Sequence, residues 1–301
     1  MEFSHMFNHL HPSHKGIVLA FIGFTAFAFS DVVSKWLLQY YSTYQVVFIN
    51  HSTACLYLLA ALHMSASLKT LKRSTKISLH LFRGVLNTCV ALSVIFSFSR
   101  LPIADVYAFL FTVPFFSALL GVAFYKQAIG LHRGLAIVIG FTGVVIGLQP
   151  GSEGFSPWLI VPILAGFLIA LKFTISRSLE GENTLLLGLW PLLVSAPLAG
   201  LLSISSFEML NFTHFAMHLF TGLCIATGLV CVSQAFRIAP AAAVSPILYT
   251  EMIWALLFGF LIFGDAPDLM MMVGAGIIIL SGIYLVETER RNGRSNIKVK
   301  S

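Results

Sequence analysis

The sequence predicts an all-α integral membrane protein: ten transmembrane helices forming two inverted five-helix repeats, with both termini cytoplasmic. Three observations carry this prediction. Residues of the AVILMFWYC set make up 57% of the 301-residue chain and charged residues 10%, against about 25% charged in a soluble domain. The apolar residues fall into ten runs, each close to the roughly 20 residues that cross a bilayer. The Lys and Arg residues gather in alternate loops, and the chain matches itself at an offset of half its length.

The composition excludes a soluble enzyme, a secreted disulfide scaffold and a disordered chain, and the mean hydropathy of +0.89 agrees. The 27 Phe and 23 Gly suit lipid-facing surface and close helix packing. A net charge of +6 is no nucleic-acid footprint, because the basic residues sit in short loops without interleaved aromatics. No nucleic-acid partner is expected; membrane lipid is. Cys55, Cys89, Cys224 and Cys231 lie in apolar runs without zinc spacing and read as packing residues.

The ten runs are 17–38, 44–63, 80–99, 103–124, 131–149, 157–176, 185–204, 216–236, 242–263 and 269–286. Residues 1–16 form a cytoplasmic N-terminal tail, 17–149 the first repeat, 157–286 the second, and 287–301 a basic cytoplasmic C-terminal tail. The first run is too long for a signal-peptide core and no cleavage site follows it. Strands of a closed barrel need alternating segments, which are absent, so helices must satisfy the backbone in lipid. Fifteen of the 18 Lys and Arg, from Lys15 through Lys69, Lys72, Arg73, Lys76 and Arg83 to Arg290, Arg291 and Arg294, fall on one side. Arg100 falls on the other, and Lys35 and Lys172 lie within runs. The rule that cytoplasmic loops are basic then places both termini in the cytoplasm, and the expected location is the cell (inner) membrane. Glu153, Glu208, Asp265 and Asp268 populate the outer loops.

An offset of 138 residues aligns Phe98 with Phe236, Pro102 with Pro240, Ala104 with Ala242, Val106 with Val244, Thr112 with Thr250 and Gly121 with Gly259. Phe111 falls on Tyr249, and an offset of 142 pairs Ser34 with Ser176 and Lys35 with Arg177. Five spans per half is odd, so the second half enters the membrane inverted. Secondary transporters recur with that architecture and hold substrate near the midplane; duplication without alternating access, as in some channels, is the other reading.

Charges inside a span cost about 2.5–3.5 kcal/mol even on the lenient insertion scale, so they default to a functional reading. Glu251, in the ninth run and five residues after Pro246, is the foremost candidate, as a coupling carboxylate or cation ligand; a structural hydrogen bond is the alternative. Tyr249, Thr250 and Trp254 flank it. Asp31 and Lys35 share a helix face at i,i+4, as a gate or zwitterion clamp, or as a simple pair with Lys35 snorkelling outward. Lys172 faces the same choice. His51 is either proton-linked or packed; Asn50 and Asn87 offer donors and acceptors. Tyr107 and Trp190 either stack on a planar solute or pack, and Pro114 marks a bend in the fourth run. His214 and His218, also i,i+4, read as a wet interfacial pair, since two ligands are too few for a metal. His5, His9, His11 and His14 have no carboxylate or thiolate beside them except Glu2. No metal and no cofactor is expected.

Several segments resemble a known family. Phe29-Ser30-Asp31-Val32-Val33-Ser34-Lys35-Trp36-Leu37 is similar to the first-helix signature of EamA-type members of the drug/metabolite transporter superfamily. Leu101-Pro102-Ile103-Ala104-Asp105 with Phe111-Thr112-Val113-Pro114-Phe115 resembles the fourth helix, and Gly140-Phe141-Thr142-Gly143-Val144-Val145 the fifth. Ala239-Pro240-Ala241-Ala242-Ala243-Val244-Ser245-Pro246, with Tyr249, Glu251 and Phe263-Gly264-Asp265, resembles the ninth. The resemblance spans both halves and implies a ten-helix carrier of small metabolites. Asp31 with Lys35, and Glu251, look closest to the S-adenosylmethionine and riboflavin carrier subgroup. The chain departs from that subgroup at Asn50-His51, where an Arg is usual, and at Tyr125-Lys126, where Gly-Glu is usual.

The expected function is secondary active transport of an amino-acid-like, nucleoside-like or vitamin-like metabolite, S-adenosylmethionine among them, by alternating access with exchange or proton coupling. No phosphate-cradling GxxxxGK[ST] is present. An intramembrane transferase or hydrolase is the alternative, but neither Gly-x-Ser-x-Gly nor His-Glu-x-x-His occurs. A channel would call for a ring of polar side chains. The oligomeric state stays open, a monomer included.

Overall fold

The computed structural model describes residues 12–64, 76–126, 130–151, 156–176, 179, 182–239, 244–266 and 268–298. Lys69, Lys72, Arg73, Glu153, Arg177, Pro240–Ala243 and His5, His9 and His11, all used above, lie outside them. Eleven α-helices are described: α1 (Pro12–Leu37), α2 (Thr43–Met64), α3 (Ile77–Phe98), α4 (Ile103–Leu110), α5 (Val113–Tyr125), α6 (Leu131–Leu148), α7 (Ile160–Ser176), α8 (Thr184–Ser203), α9 (Phe212–Ile238), α10 (Thr250–Phe263) and α11 (Leu269–Lys298). No strand occurs among the described residues. Among the described residues seven spans are long and apolar enough to cross a membrane: α1, α2, α3, α4 with α5, α7, α8 and α9. Three shorter apolar helices, Gly134–Leu148, Ile247–Phe263 and Leu269–Leu285, complete the set. Leu56, Val138, Leu201, Ile253, Phe260 and Leu280 are exposed, as side chains facing lipid tails would be.

The fourth span is two helices, not one. Pro114 has no N–H to give the Leu110 carbonyl, so α4 stops at Leu110 and α5 restarts with Pro114 in its first turn. The Thr112 hydroxyl donates to Phe109 O at 2.6 Å across the break. The ninth span departs similarly. It opens as a 3-10 turn, Ser245–Tyr249, with a proline at its start, and α10 begins at Thr250. The Thr250 hydroxyl donates to Ile247 O at 2.7 Å. Phe109 and Thr112 align with Ile247 and Thr250 at the 138-residue offset, so the same local bond recurs at both breaks. Glu251 therefore sits in the first turn of a helix rather than eight residues into one.

The chain divides into two compact units, Met1–Thr88 with Leu179–Trp254, and Cys89–Ser178 with Ala255–Ser301. Helices α3 and α10 each contribute residues to both. In the first unit α1 packs on α9 through Ala20, Phe24 and Ala235. Helix α2 packs on α8 and α9 through Ala54, Leu58, Leu62, Leu189, Leu192 and Ala226. Close approach depends on Gly222, where an added Cβ would lie 2.1 Å from Thr53 Oγ1. Asparagine caps start both second-half helices: Asn183 Oδ1 accepts from Leu185 N and Asn211 Oδ1 from His214 N. The Gln45 amide clamps the loop between α8 and α9, donating to Glu208 O at 2.7 Å and accepting from Glu208 N at 2.9 Å.

In the second unit α6 crosses α11 at Gly143 and Gly274. A Cβ on Gly143 would lie 2.9 Å from Gly274 O, and one on Gly274 would lie 2.6 Å from Gly143 O. This is the small-residue contact that lets helices approach in lipid. Phe109, Phe111 and Phe115 are fully buried around the break in the fourth span. Asp268 starts α11, accepting from Gln149 Nε2 at 2.6 Å and Met270 N at 2.9 Å. The Gln149 bond, aided by the backbone N–H groups of the first turn, holds its carboxyl below the usual range. Helix α11 continues beyond the apolar run to Lys298, because Glu287, Glu289, Arg290 and Arg291 are strong helix formers.

Candidate functional site

Helix α1 carries Asp31 and Lys35 one turn apart and both half-buried. The first turn of α10 sets Glu251 within electrostatic reach of Asp31, and Glu251 is 7% exposed. The Ser30 hydroxyl donates to Phe27 O at 2.9 Å and reaches Asp31 Oδ1 at 3.4 Å. Trp254, three residues beyond Glu251, donates its Nε1–H to Thr25 Oγ1 at 3.0 Å and lies 6.2 Å from the Phe29 ring. Trp254 thus ties the carboxylate-bearing turn to α1. Tyr249 is half-buried beside it. Thr250 has committed its proton to Ile247 O, which leaves its lone pairs as acceptors.

A second polar group joins α1, α2 and α9. The His218 Nδ1 lies 2.6 Å from Asn50 Oδ1, and Asn50 Nδ2 donates to Ser34 Oγ at 3.0 Å. Ser34 donates to Ser30 O at 2.6 Å, one residue before Asp31. The Thr53 hydroxyl reaches His218 O at 3.1 Å. His218 is fully buried and its Nε2 has no partner among the described residues. His214 is buried too, and its Nδ1 is hydrogen-bonded to Tyr41 Oη at 2.6 Å. The wet interfacial reading of this pair is therefore corrected. The i,i+4 spacing puts both rings on one face of α9, where His214 meets Tyr41 of the α1–α2 turn and His218 meets Asn50 of α2. His51 is buried with Nδ1 2.7 Å from Ser195 Oγ.

The other predicted residues are dispersed. Asn87 is half-buried on α3 in the first unit. Tyr107 belongs to the second unit, buried between Phe98 and Phe111 at ring separations of 6.4 and 6.2 Å. Lys172, also in the second unit, holds its Nζ 5.9 Å from the Phe173 ring.

One cluster escaped the sequence reading. Arg83 was assigned to the basic loops, yet it lies two turns inside α3 and is 6% exposed. Arg83 thus joins Lys35 and Lys172 as a basic residue within a span. His80 precedes it by three residues, its Nε2 2.9 Å from Glu182 Oε2 and its ring stacked on Trp190 at 5.4 Å. The available signal was His-x-x-Arg at helical spacing inside an apolar run, hidden by the nearness of Arg83 to Lys76. Among the described residues no group of three or more His, Cys, Asp or Glu could hold a metal.

Comparison with known proteins adds sequence and fold relationships. The model of the EamA-like transporter family matches the chain twice, over residues 14–148 and 156–288. A riboflavin transporter from Rhizobium johnstonii is 30% identical over 217 residues, covering 71% of this chain and 72% of that protein. An S-adenosylmethionine uptake transporter from Rickettsia conorii is 26% identical over 269 residues, covering 87% and 89%. A solved structure titled "Crystal structure of protein" shares the fold, with a TM-score of 0.64 at 12% identity, covering 92% of this chain and 98% of that one.

Proposed function

The chain belongs to the EamA-like transporter family, and on that premise we propose that it is a secondary active carrier working by alternating access. It is a transporter of a small metabolite rather than an enzyme, and an integral, multi-pass membrane protein. The proposed cargo is a cationic or zwitterionic heteroaromatic metabolite of the S-adenosylmethionine kind, ahead of a neutral vitamin such as riboflavin.

The observation that carries this reading is the Asp31–Glu251 pair. Glu251 is buried in the first turn of α10 within electrostatic reach of Asp31, and a buried carboxyl in a span favours a proton or a cation beside it, since charge in lipid is costly. A sulfonium or ammonium group on the cargo meets that need when bound, and a proton meets it on return. Exchange or proton coupling then follows from the same site, with His51 and the Asn50–His218 group as supporting polar contacts. Trp254, Tyr249 and Phe29 supply aromatic surface for a planar ring and for the cation.

The recurrence of the Thr112 and Thr250 bonds, and the twofold family match, support two repeats over 17–149 and 157–286. The one-sided distribution of Lys and Arg supports an inner-membrane location with both termini cytoplasmic.

The test is transport by purified protein in proteoliposomes. Labelled S-adenosylmethionine should enter saturably, and unlabelled solute inside should accelerate entry. Non-saturating flux would favour a channel, and a chemically altered product an enzyme; either result overturns the carrier reading.

A further inference from the structure

The chemistry-bearing cluster left unused is the one formed by α3 and the start of α8. Helix α3 approaches α8 closely because Gly84 has no side chain; a Cβ there would lie 2.4 Å from Val194 Cβ. That contact sets His80 and Arg83, three residues apart on α3, against Leu187 and Trp190, three residues apart on α8. Arg83 Nη2 reaches Leu187 O at 3.5 Å, the long limit of a hydrogen bond. Four buried nitrogens here, Arg83 Nε and Nη1, Trp190 Nε1 and His80 Nδ1, have no hydrogen-bond partner among the described residues.

Buried polar groups in folded proteins are nearly always satisfied, so four orphans gathered along one contact between α3 and α8 mark a place where something else binds. Guanidinium and indole nitrogens are donors only, so the group that meets Arg83 and Trp190 must accept; His80 Nδ1, an acceptor while Nε2–H faces Glu182, takes no part in holding it. It must also be anionic: the Arg83 side chain is buried, and no described carboxylate forms an ion pair with it. Glu182 contributes a negative charge nearby, but its Oε2 is engaged by His80 Nε2 at 2.9 Å. Glu182, held on the His80 side, keeps that negative charge nearby, so a monoanion matched to the single Arg83 charge suits the site better than a phosphate dianion.

We propose that Arg83 and Trp190, with the His80 ring stacked on the indole, form a carboxylate-binding site that holds the acid group of the transported solute. The assignment rests on the carrier reading for the identity of the solute, though not for the binding chemistry. It places the carboxylate of an amino-acid-bearing cargo at Arg83, on different helices from the Asp31–Glu251 pair that meets a cationic group.

Titration of the purified full-length protein with sodium benzoate and with benzamide, its neutral counterpart, tests the site. The readout is the Trp190 indole N–H resonance, assigned by its loss in Trp190→Phe. Benzoate should shift it saturably, with benzamide and inorganic phosphate at least about tenfold weaker, as expected for a charge-assisted bond to a monoanion. Arg83→Gln should remove the benzoate response. If Arg83→Gln does not fold, Arg83→Lys, which keeps the charge but loses the planar donors, should weaken it severalfold. Equal shifts with benzamide, tighter binding of phosphate, or an unchanged response in the Arg83 variants would overturn the proposal. Absent transport with an intact benzoate response counts against the carrier reading alone; intact transport with no response counts against this site alone.

Discussion

His218 and Asn50 lie 168 positions apart in the chain, and their side chains meet at 2.6 Å in a fully buried hydrogen bond. The bond fastens a helix of the second half onto one of the first. It also uses the Asn50 carbonyl oxygen while the amide nitrogen holds Ser34, so a single residue ties α1, α2 and α9 together.

Replacing either member leaves the other buried and unsatisfied, which costs about 1–3 kcal/mol. Asn50→Leu and His218→Phe should each lower the thermal unfolding temperature of the detergent-purified protein. The double variant should lose less than the two combined, because neither polar group is then stranded. Strictly additive losses would show that the two residues do not act on each other.

Glu251→Gln keeps the shape of the side chain and removes its charge. Transport should fall by at least about a hundredfold, as when a residue essential to the step is neutralised, with membrane expression unchanged. Asp31→Asn should weaken transport and alter its pH dependence. Wild-type uptake by Glu251→Gln would make that carboxyl structural.

The α6–α11 crossing has no room for side chains at Gly143 or Gly274. Gly143→Leu should destabilise the protein by about 1–3 kcal/mol or more through overpacking, seen as a lower midpoint of thermal unfolding. Gly276, where nothing lies within 4 Å of an added Cβ, should accept alanine with little change.

Asp268 provides a local pH response. Its folded-state carboxyl is held low by Gln149 and the backbone N–H groups of α11, so its contribution is present above the ordinary carboxylate range and lost as pH falls through the folded value. Amide protection of Leu269–Met271 should drop on acidification below about pH 4, and Asp268→Asn should make that protection insensitive to pH across the same interval. Unchanged acid sensitivity in the variant would exclude Asp268 as its source.

Topology can be read directly. Small tags inserted after residue 153 and after residue 266 should both be reached by impermeant label from outside intact cells, while a C-terminal tag should not. Labelling of just one loop tag would break the ten-span arrangement.

Helices in lipid must satisfy their own backbone, and that requirement made the ten apolar runs legible before any coordinates. The sequence by itself determined the class, the approximate spans and the family resemblance, and it singled out Glu251 and Asp31 as candidates, because charge in an apolar run is visible to simple counting. It also showed that Pro114 would bend the fourth span. Tertiary structure decided which polar residues meet. Whether His214 and His218 were wet or buried depended on Tyr41 and Asn50, more than 160 positions away, and whether Arg83 lay in a loop or inside a helix depended on where α3 begins. Spacing along one helix fixes a face; what stands opposite that face is set by packing between distant segments, and the partners of His218 and Arg83 follow from that packing.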